Sequence, residues 1–98
     1  MRNRGKVFWD WVNPELHFRN LDKRLPCGTL INVQVRTSKE KLTQVFFGIY
    51  GAKGVMLLEE SHPDCNGQTM TVAMAWALQR ATDWVEEMRS SIRRSNRG

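Results

Sequence analysis

Hydrophobic and polar positions alternate most regularly in residues 29–37, TLINVQVRT. Every second side chain there is apolar and those between are polar, which is typical of a strand with one buried and one solvated face. Two further apolar segments, residues 42–50 and 55–60, are also predicted to be strands. The short segments SKEK and GAKG separate the three, so the sequence predicts a three-stranded antiparallel meander.

The hairpin of the second and third predicted strands is apolar on both faces. If Ala52 and Lys53 form a two-residue loop, Tyr50 lies opposite Val55. One face then holds Val45, Phe47, Ile49, Met56 and Leu58, and the other holds Phe46, Tyr50, Val55 and Leu57 beside Gly48. A sheet with one solvated face does not have two apolar faces, so we expect something to cover each side.

A long helix is predicted from about residue 69 to residue 93, with Thr69 as its cap. Its core-facing side chains fall on one seam: Met70, Met74, Leu78, Ala81, Val85, Met88 and Ile92. Ala73 and Ala77 flank this seam beside Trp84, and small residues at this spacing let another backbone come close. Trp76 lies far from the seam, near Arg80, and the predicted fold does not explain it.

The N-terminal quarter of the chain predicts two further elements. Residues 6–13, KVFWDWVN, are rich in aromatic and β-branched residues and predict a strand that could extend the meander. Asn13, Pro14 and Glu15 are typical of a helix start, so a short helix is predicted near residues 14–24. The predicted fold is α+β: the meander packs on one long C-terminal helix.

The charge of the chain is concentrated at its ends. The 98 residues carry a net charge of +5, but residues 1–6 and 89–98 hold seven of the fifteen basic residues and no acid, which leaves residues 7–88 at −2. We therefore divide the chain into a basic N-terminal tail, 1–6, a single domain, 7–93, and a basic C-terminal tail, 94–98. Such tails either serve solubility or contact phosphate or an acidic protein.

The composition does not predict an enzyme, a metal site or a cofactor. The segment SHPDC places His62, Asp64 and Cys65 in one loop, but the chain has two histidines and no CxxC pair. The proline fits a turn, and no other catalytic constellation or phosphate-binding glycine loop is present. Two cysteines do not make a disulfide framework, and no segment has the apolar length of a spanning helix. We therefore expect a cytoplasmic protein with no membrane partner and no small-molecule ligand.

Surplus apolar surface predicts a non-enzymatic binding or regulatory protein that acts through protein–protein contact. The partner would be another protein or a second copy of the chain, with a homodimer expected. The predicted interface consists of Trp9, Trp11, Phe46, Tyr50, Leu57, Ala73, Trp76, Ala77 and Arg80. A wholly internal account stays open, in which the N-terminal segment covers the second sheet face and Arg80 covers Trp76 by a cation–π contact.

The alternative function is nucleic-acid binding. Side chains able to contact bases or phosphates lie on the polar face of the first strand, in the turn after it and at the C-terminal end: Asn32, Gln34, Arg36, Lys39, Lys41, Arg93 and Arg94. The competing interpretation is an ordinary solvated strand face. The predicted element order also resembles that of double-stranded-RNA-binding domains, but the lysine cluster that opens their last helix is missing from GQTMTVAM.

Overall fold

The computed structural model describes residues 3–65 and 67–95, with side chains of the last helix described up to residue 91. Its elements in chain order are α1 (Lys6–Trp11), β1 (Phe18–Arg24), β2 (Leu30–Thr37), β3 (Thr43–Tyr50), β4 (Met56–His62) and α2 (Met70–Ser95). The four strands form one antiparallel sheet in the order β1-β2-β3-β4. The α+β class is therefore confirmed, and the meander has four strands rather than three.

The segment predicted as an N-terminal strand is the helix α1, so that prediction is wrong. Phe8 and Trp11 lie on its buried side and form a second core cluster with Phe46 of β3. The aromatic and β-branched residues of the segment 6–13 favoured a strand, but tertiary contacts to β3 and β4 decide its conformation. The second apolar face of the sheet is thus covered by the chain itself.

The short helix predicted near residues 14–24 is also wrong, because this segment forms β1 at one edge of the sheet. Leu21 packs against the main core, while most other β1 side chains are exposed. An exposed edge strand does not need regular alternation, so the pattern of its apolar residues was ambiguous. The predicted helix start is a local turn, in which the Glu15 amide donates to Asn13 Oδ1 over 3.0 Å.

The long helix α2 is confirmed, and so are Ala81 and Val85 of its predicted core-facing seam, but the rest of that face differs from the prediction. Ala73, Ala77, Ala81 and Val85 are at most 1% exposed, whereas Met70, Met74 and Leu78 are partly buried on the flank. The small side chains let the helix lie close to the central strands β2 and β3. Ala73 and Ala77 therefore let α2 come close to the chain's own sheet. They are core residues, and their predicted place in an intermolecular interface is wrong.

The hairpin of β3 and β4 differs from the predicted register. Tyr50 pairs with Met56 and Ile49 with Leu58, with an irregularity between them that leaves Leu57 without a paired residue. The turn is longer than the two residues predicted, and Gly54 has a φ of 86°, which favours glycine. As a result Phe47 lies opposite Glu60, and β4 is more polar on its α2 side than predicted.

No helix among the described residues is long and apolar enough to cross a membrane.

Candidate protein-interaction site

A groove runs between the edge strand β4 and the helix α2. It has a volume of about 510 Å³ and is lined by Phe47, Leu58, Glu60, Trp76, Gln79, Arg80, Asp83, Trp84 and Glu87. Its apolar side chains include Leu58 and Trp84, which are partly buried against the main core. The groove therefore has a mixed lining: four side chains are apolar, and the other five are charged or polar.

The groove wall is held by an ion pair between the two elements. Arg80 Nε donates to Glu60 Oε2 over 2.9 Å, and Glu60 also lies 3.2 Å from His62 Nε2. The hydrogen bond from Arg80 lowers the pKa of Glu60, and the same contact raises the pKa of Arg80. The carboxylate thus fixes the position of Arg80 at the mouth of the groove.

Trp76 stands at the wall of the groove and is 40% exposed. The His62 ring meets it edge-on, with ring centroids 5.0 Å apart. The Arg80 guanidinium carbon lies 5.8 Å from its ring centroid, as the cation–π interpretation expected. A smaller hollow of about 250 Å³ borders its other side and includes His62 and Cys65. These contacts position the indole but leave much of it open to solvent.

The two edges of the sheet differ in chemistry. The β1 edge carries Arg19, Lys23 and Arg24, and basic side chains of this kind discourage pairing with another strand. The β4 edge carries no lysine or arginine, and its residues Met56 and Leu57 are exposed. The groove therefore lies beside an edge that has the acids Glu59 and Glu60 and an irregularity at Leu57 in place of basic side chains.

A polar network occupies the opposite face of the sheet. Arg4 Nη1 donates to Asn32 Oδ1 and to the Tyr50 hydroxyl, each over 2.9 Å, and Asn32 Nδ2 donates to Asn20 and Asp22. Asn32 is completely buried and Gln34 is 6% exposed. The prediction of a solvated strand face is therefore wrong for Asn32 and Gln34, which are inaccessible to nucleic acid here.

The remaining described residues of the predicted nucleic-acid surface lie at the end of β2 and in the turn that follows it, and two of them have partners within the chain. Arg36 stacks 3.7 Å over the ring of Trp11 and hydrogen-bonds Gln44 and the Trp11 carbonyl. Lys39 lies 3.8 Å from Glu15, and Lys41 is exposed in the turn before β3. The side chains of Arg93 and Arg94 lie outside the described residues.

Three residues of the predicted protein interface are buried by α1 or beneath the N-terminal segment. Trp11, Phe46 and Tyr50 are at most 6% exposed and lie in the interior of the domain. Trp9, on the outer side of α1, is 63% exposed and packs edge-on against Phe8. Of the predicted interface, the structure thus brings only Trp76 and Arg80 together at the groove.

Glu59 is a key residue that sequence analysis missed. Its carboxylate accepts hydrogen bonds from the backbone amides of Gly5 and Phe8 and from the Tyr50 hydroxyl. It therefore satisfies the free amides at the start of α1, as a helix cap does. The sequence did place Glu59 on an apolar face of a predicted strand. A carboxylate buried on such a face needs hydrogen-bond donors, so this position could have indicated its role.

The two thiols lie in different environments. Cys27 and Cys65 are both free, and burial raises the pKa of Cys65, which disfavours its nucleophilic thiolate. Cys27 is exposed, and the Thr29 hydroxyl beside it lowers its pKa. No group of three or more His, Cys, Asp or Glu residues within the described part of the chain could hold a metal ion.

The chain matches no protein-family model, no curated protein and no solved structure.

Proposed function

We propose that this is a small non-enzymatic binding protein that acts through protein–protein contact, including self-association, at the groove between β4 and α2. The observation that carries the proposal is Trp76, a large aromatic side chain that is held in a defined orientation and is nevertheless 40% exposed at the wall of a groove. Tryptophan and arginine are the residues most enriched among those that dominate binding energy at interfaces.

The rest of the fold supports this location. The other face of the sheet is covered by α1 and the Arg4 network, whereas Leu58 and Trp84 line an open channel. A partner that fills this channel would remove apolar surface from water, which favours association. We also propose a cytoplasmic location, which the two free thiols support because thiols stay reduced in that compartment.

The test is Trp76→Ala, measured by sedimentation velocity and by pull-down from an extract of the source cells. We expect association to weaken by about 2 kcal/mol, as for an interface anchor, while the free energy of unfolding of the monomer changes much less. Trp9→Ala is the matched control: Trp9 is more exposed but lies on α1, away from the groove, and its loss should leave association unchanged. A strict monomer with no stable partner in the pull-down would refute the proposal.

A further inference from the structure

We infer that the segment which a partner protein places in the groove is basic, with an arginine or lysine side chain seated against Trp84 beside Asp83 and Glu87. The inference rests on the proposed function and specifies the chemistry of the partner. It concerns the part of the groove wall that follows Arg80 towards the C-terminal end of α2.

The first argument is the charge of the groove. The nine residues that line it include three acids and one base, a net charge of −2, in a chain whose net charge is +5. The groove therefore concentrates negative charge on a molecule that is basic as a whole. A surface of one sign attracts the opposite sign and repels its own, so an acidic partner is disfavoured here.

The second argument is which of these charges are already compensated. Arg80 Nε donates to Glu60 Oε2 over 2.9 Å, so these two groups neutralise each other within the chain. Asp83 accepts a hydrogen bond from the neutral side chain of Gln79 over 2.8 Å. Within the described part of the chain, neither Asp83 nor Glu87 forms an ion pair. The net negative charge of the groove thus belongs to these two carboxylates.

The third argument is the spacing of the two carboxylates. Asp83 and Glu87 are four residues apart on α2, and side chains at this spacing are neighbours on one side of a helix. Like charges placed in this way repel each other, and a cation between them removes the repulsion. A wholly apolar partner would instead take carboxylates out of water with nothing to compensate their charge, which is unfavourable.

The fourth argument is Trp84, which follows Asp83 in the sequence and lines the same groove. A tryptophan ring attracts a cation placed over its face. Arg80 already meets Trp76 in this way, whereas no basic side chain of the described residues lies over Trp84. The ring is partly buried against the main core, and so is Leu58 across the groove. The apolar stem of an arginine or lysine can pack on both while its charge reaches the carboxylates.

The test compares two pools of short peptides in which varied apolar residues alternate with either arginine or glutamate. Fluorescence anisotropy of the labelled peptides measures their binding to the full chain. We expect the arginine pool to bind and the glutamate pool not to bind. The double variant Asp83→Asn/Glu87→Gln keeps the shape of both side chains and removes their charge, so it should bind the arginine pool on the order of tenfold more weakly.

Glu40→Gln/Glu86→Gln is the matched control. It removes the same charge from the chain at two exposed positions that do not line the groove, and should leave binding of the arginine pool unchanged. Circular dichroism checks that both double variants fold.

Three results overturn the inference: no binding of the arginine pool, binding that both double variants weaken equally or not at all, and equally tight binding of the glutamate pool. The proposed function is tested separately by Trp76→Ala. An association that is lost in Trp76→Ala and kept in Asp83→Asn/Glu87→Gln upholds the proposed function and refutes the basic partner.

Discussion

At the scale of single residues, Tyr50 and the groups around it show how polar atoms are accommodated inside a small fold. Tyr50 is the only tyrosine in the chain and is fully buried. Its hydroxyl donates to Glu59 over 2.7 Å and accepts from Arg4 over 2.9 Å. Three residues from distant parts of the chain thus satisfy one another's hydrogen-bonding groups at the centre of the network.

The ionisation of Tyr50 gives a direct spectroscopic prediction. Burial, together with the hydrogen bond to Glu59, raises its pKa to about 12, above the ordinary value of 10. Because the folded pKa is the higher one, the neutral hydroxyl contributes stability that is complete below pH 10 and is lost as the pH rises towards 12. An ultraviolet absorbance titration should show no phenolate until that range, with Tyr50→Phe as the blank. Titration near pH 10 by a folded chain would contradict the buried position.

Gly48 gives a second prediction at this scale. A Cβ atom at this position would lie 2.3 Å from the Tyr50 hydroxyl oxygen and 2.7 Å from its ring. Gly48→Ala should therefore lower the free energy of unfolding by about 1–3 kcal/mol through overpacking. Gly51→Ala is the matched control, since its nearest neighbour would be 3.8 Å away. Equal effects of both substitutions in chemical denaturation would show that the Tyr50 ring does not occupy this space.

At the scale of elements, the strands β2, β3 and β4 and the helix α2 were predictable, but the segment from residue 6 to residue 24 was not. Regular alternation and helical periodicity identify elements that have one buried face. The short α1 depends on Glu59, which lies more than fifty residues away in the chain. β1 is an edge strand with mostly exposed side chains. Neither has a local pattern strong enough to decide its conformation.

The dependence of α1 on Glu59 can be tested by comparing two adjacent glutamates. Glu59→Ala leaves the Gly5 and Phe8 amides and the Tyr50 hydroxyl without their acceptor, and should cost about 1–3 kcal/mol. Glu60→Ala, on the opposite face, removes a surface ion pair and should cost at most about 1 kcal/mol. Thermal unfolding measures both, and hydrogen exchange should show lost protection in α1 only for Glu59→Ala. Unchanged α1 protection in that variant would mean that Glu59 does not hold the helix.

At the scale of the whole molecule, the two helices cover opposite faces of the sheet and different strands. α2 lies over β2 and β3, whereas α1 lies over β3 and β4. The flank where β4 meets α2 is consequently open, and this is where the groove forms. The winding of α2 alone placed Trp76 and Arg80 away from the core. The contacts of Trp76 with His62 and of Arg80 with Glu60 were not predictable, because they depend on the register of β4. That register is shifted by Leu57, which has no paired residue in β3.

The capping of α1 by Glu59 also governs the order in which the molecule is completed during synthesis. Gly5 and Phe8 leave the ribosome well before Glu59, because the carboxylate that accepts hydrogen bonds from their amides is 54 and 51 residues further along the chain. Phe8 and Trp11 therefore stay uncovered while most of the sheet is being translated, and a chaperone that binds aromatic segments has that interval to act. α1 is therefore translated before every strand of the sheet and yet reaches its native place only after Glu59 has been made.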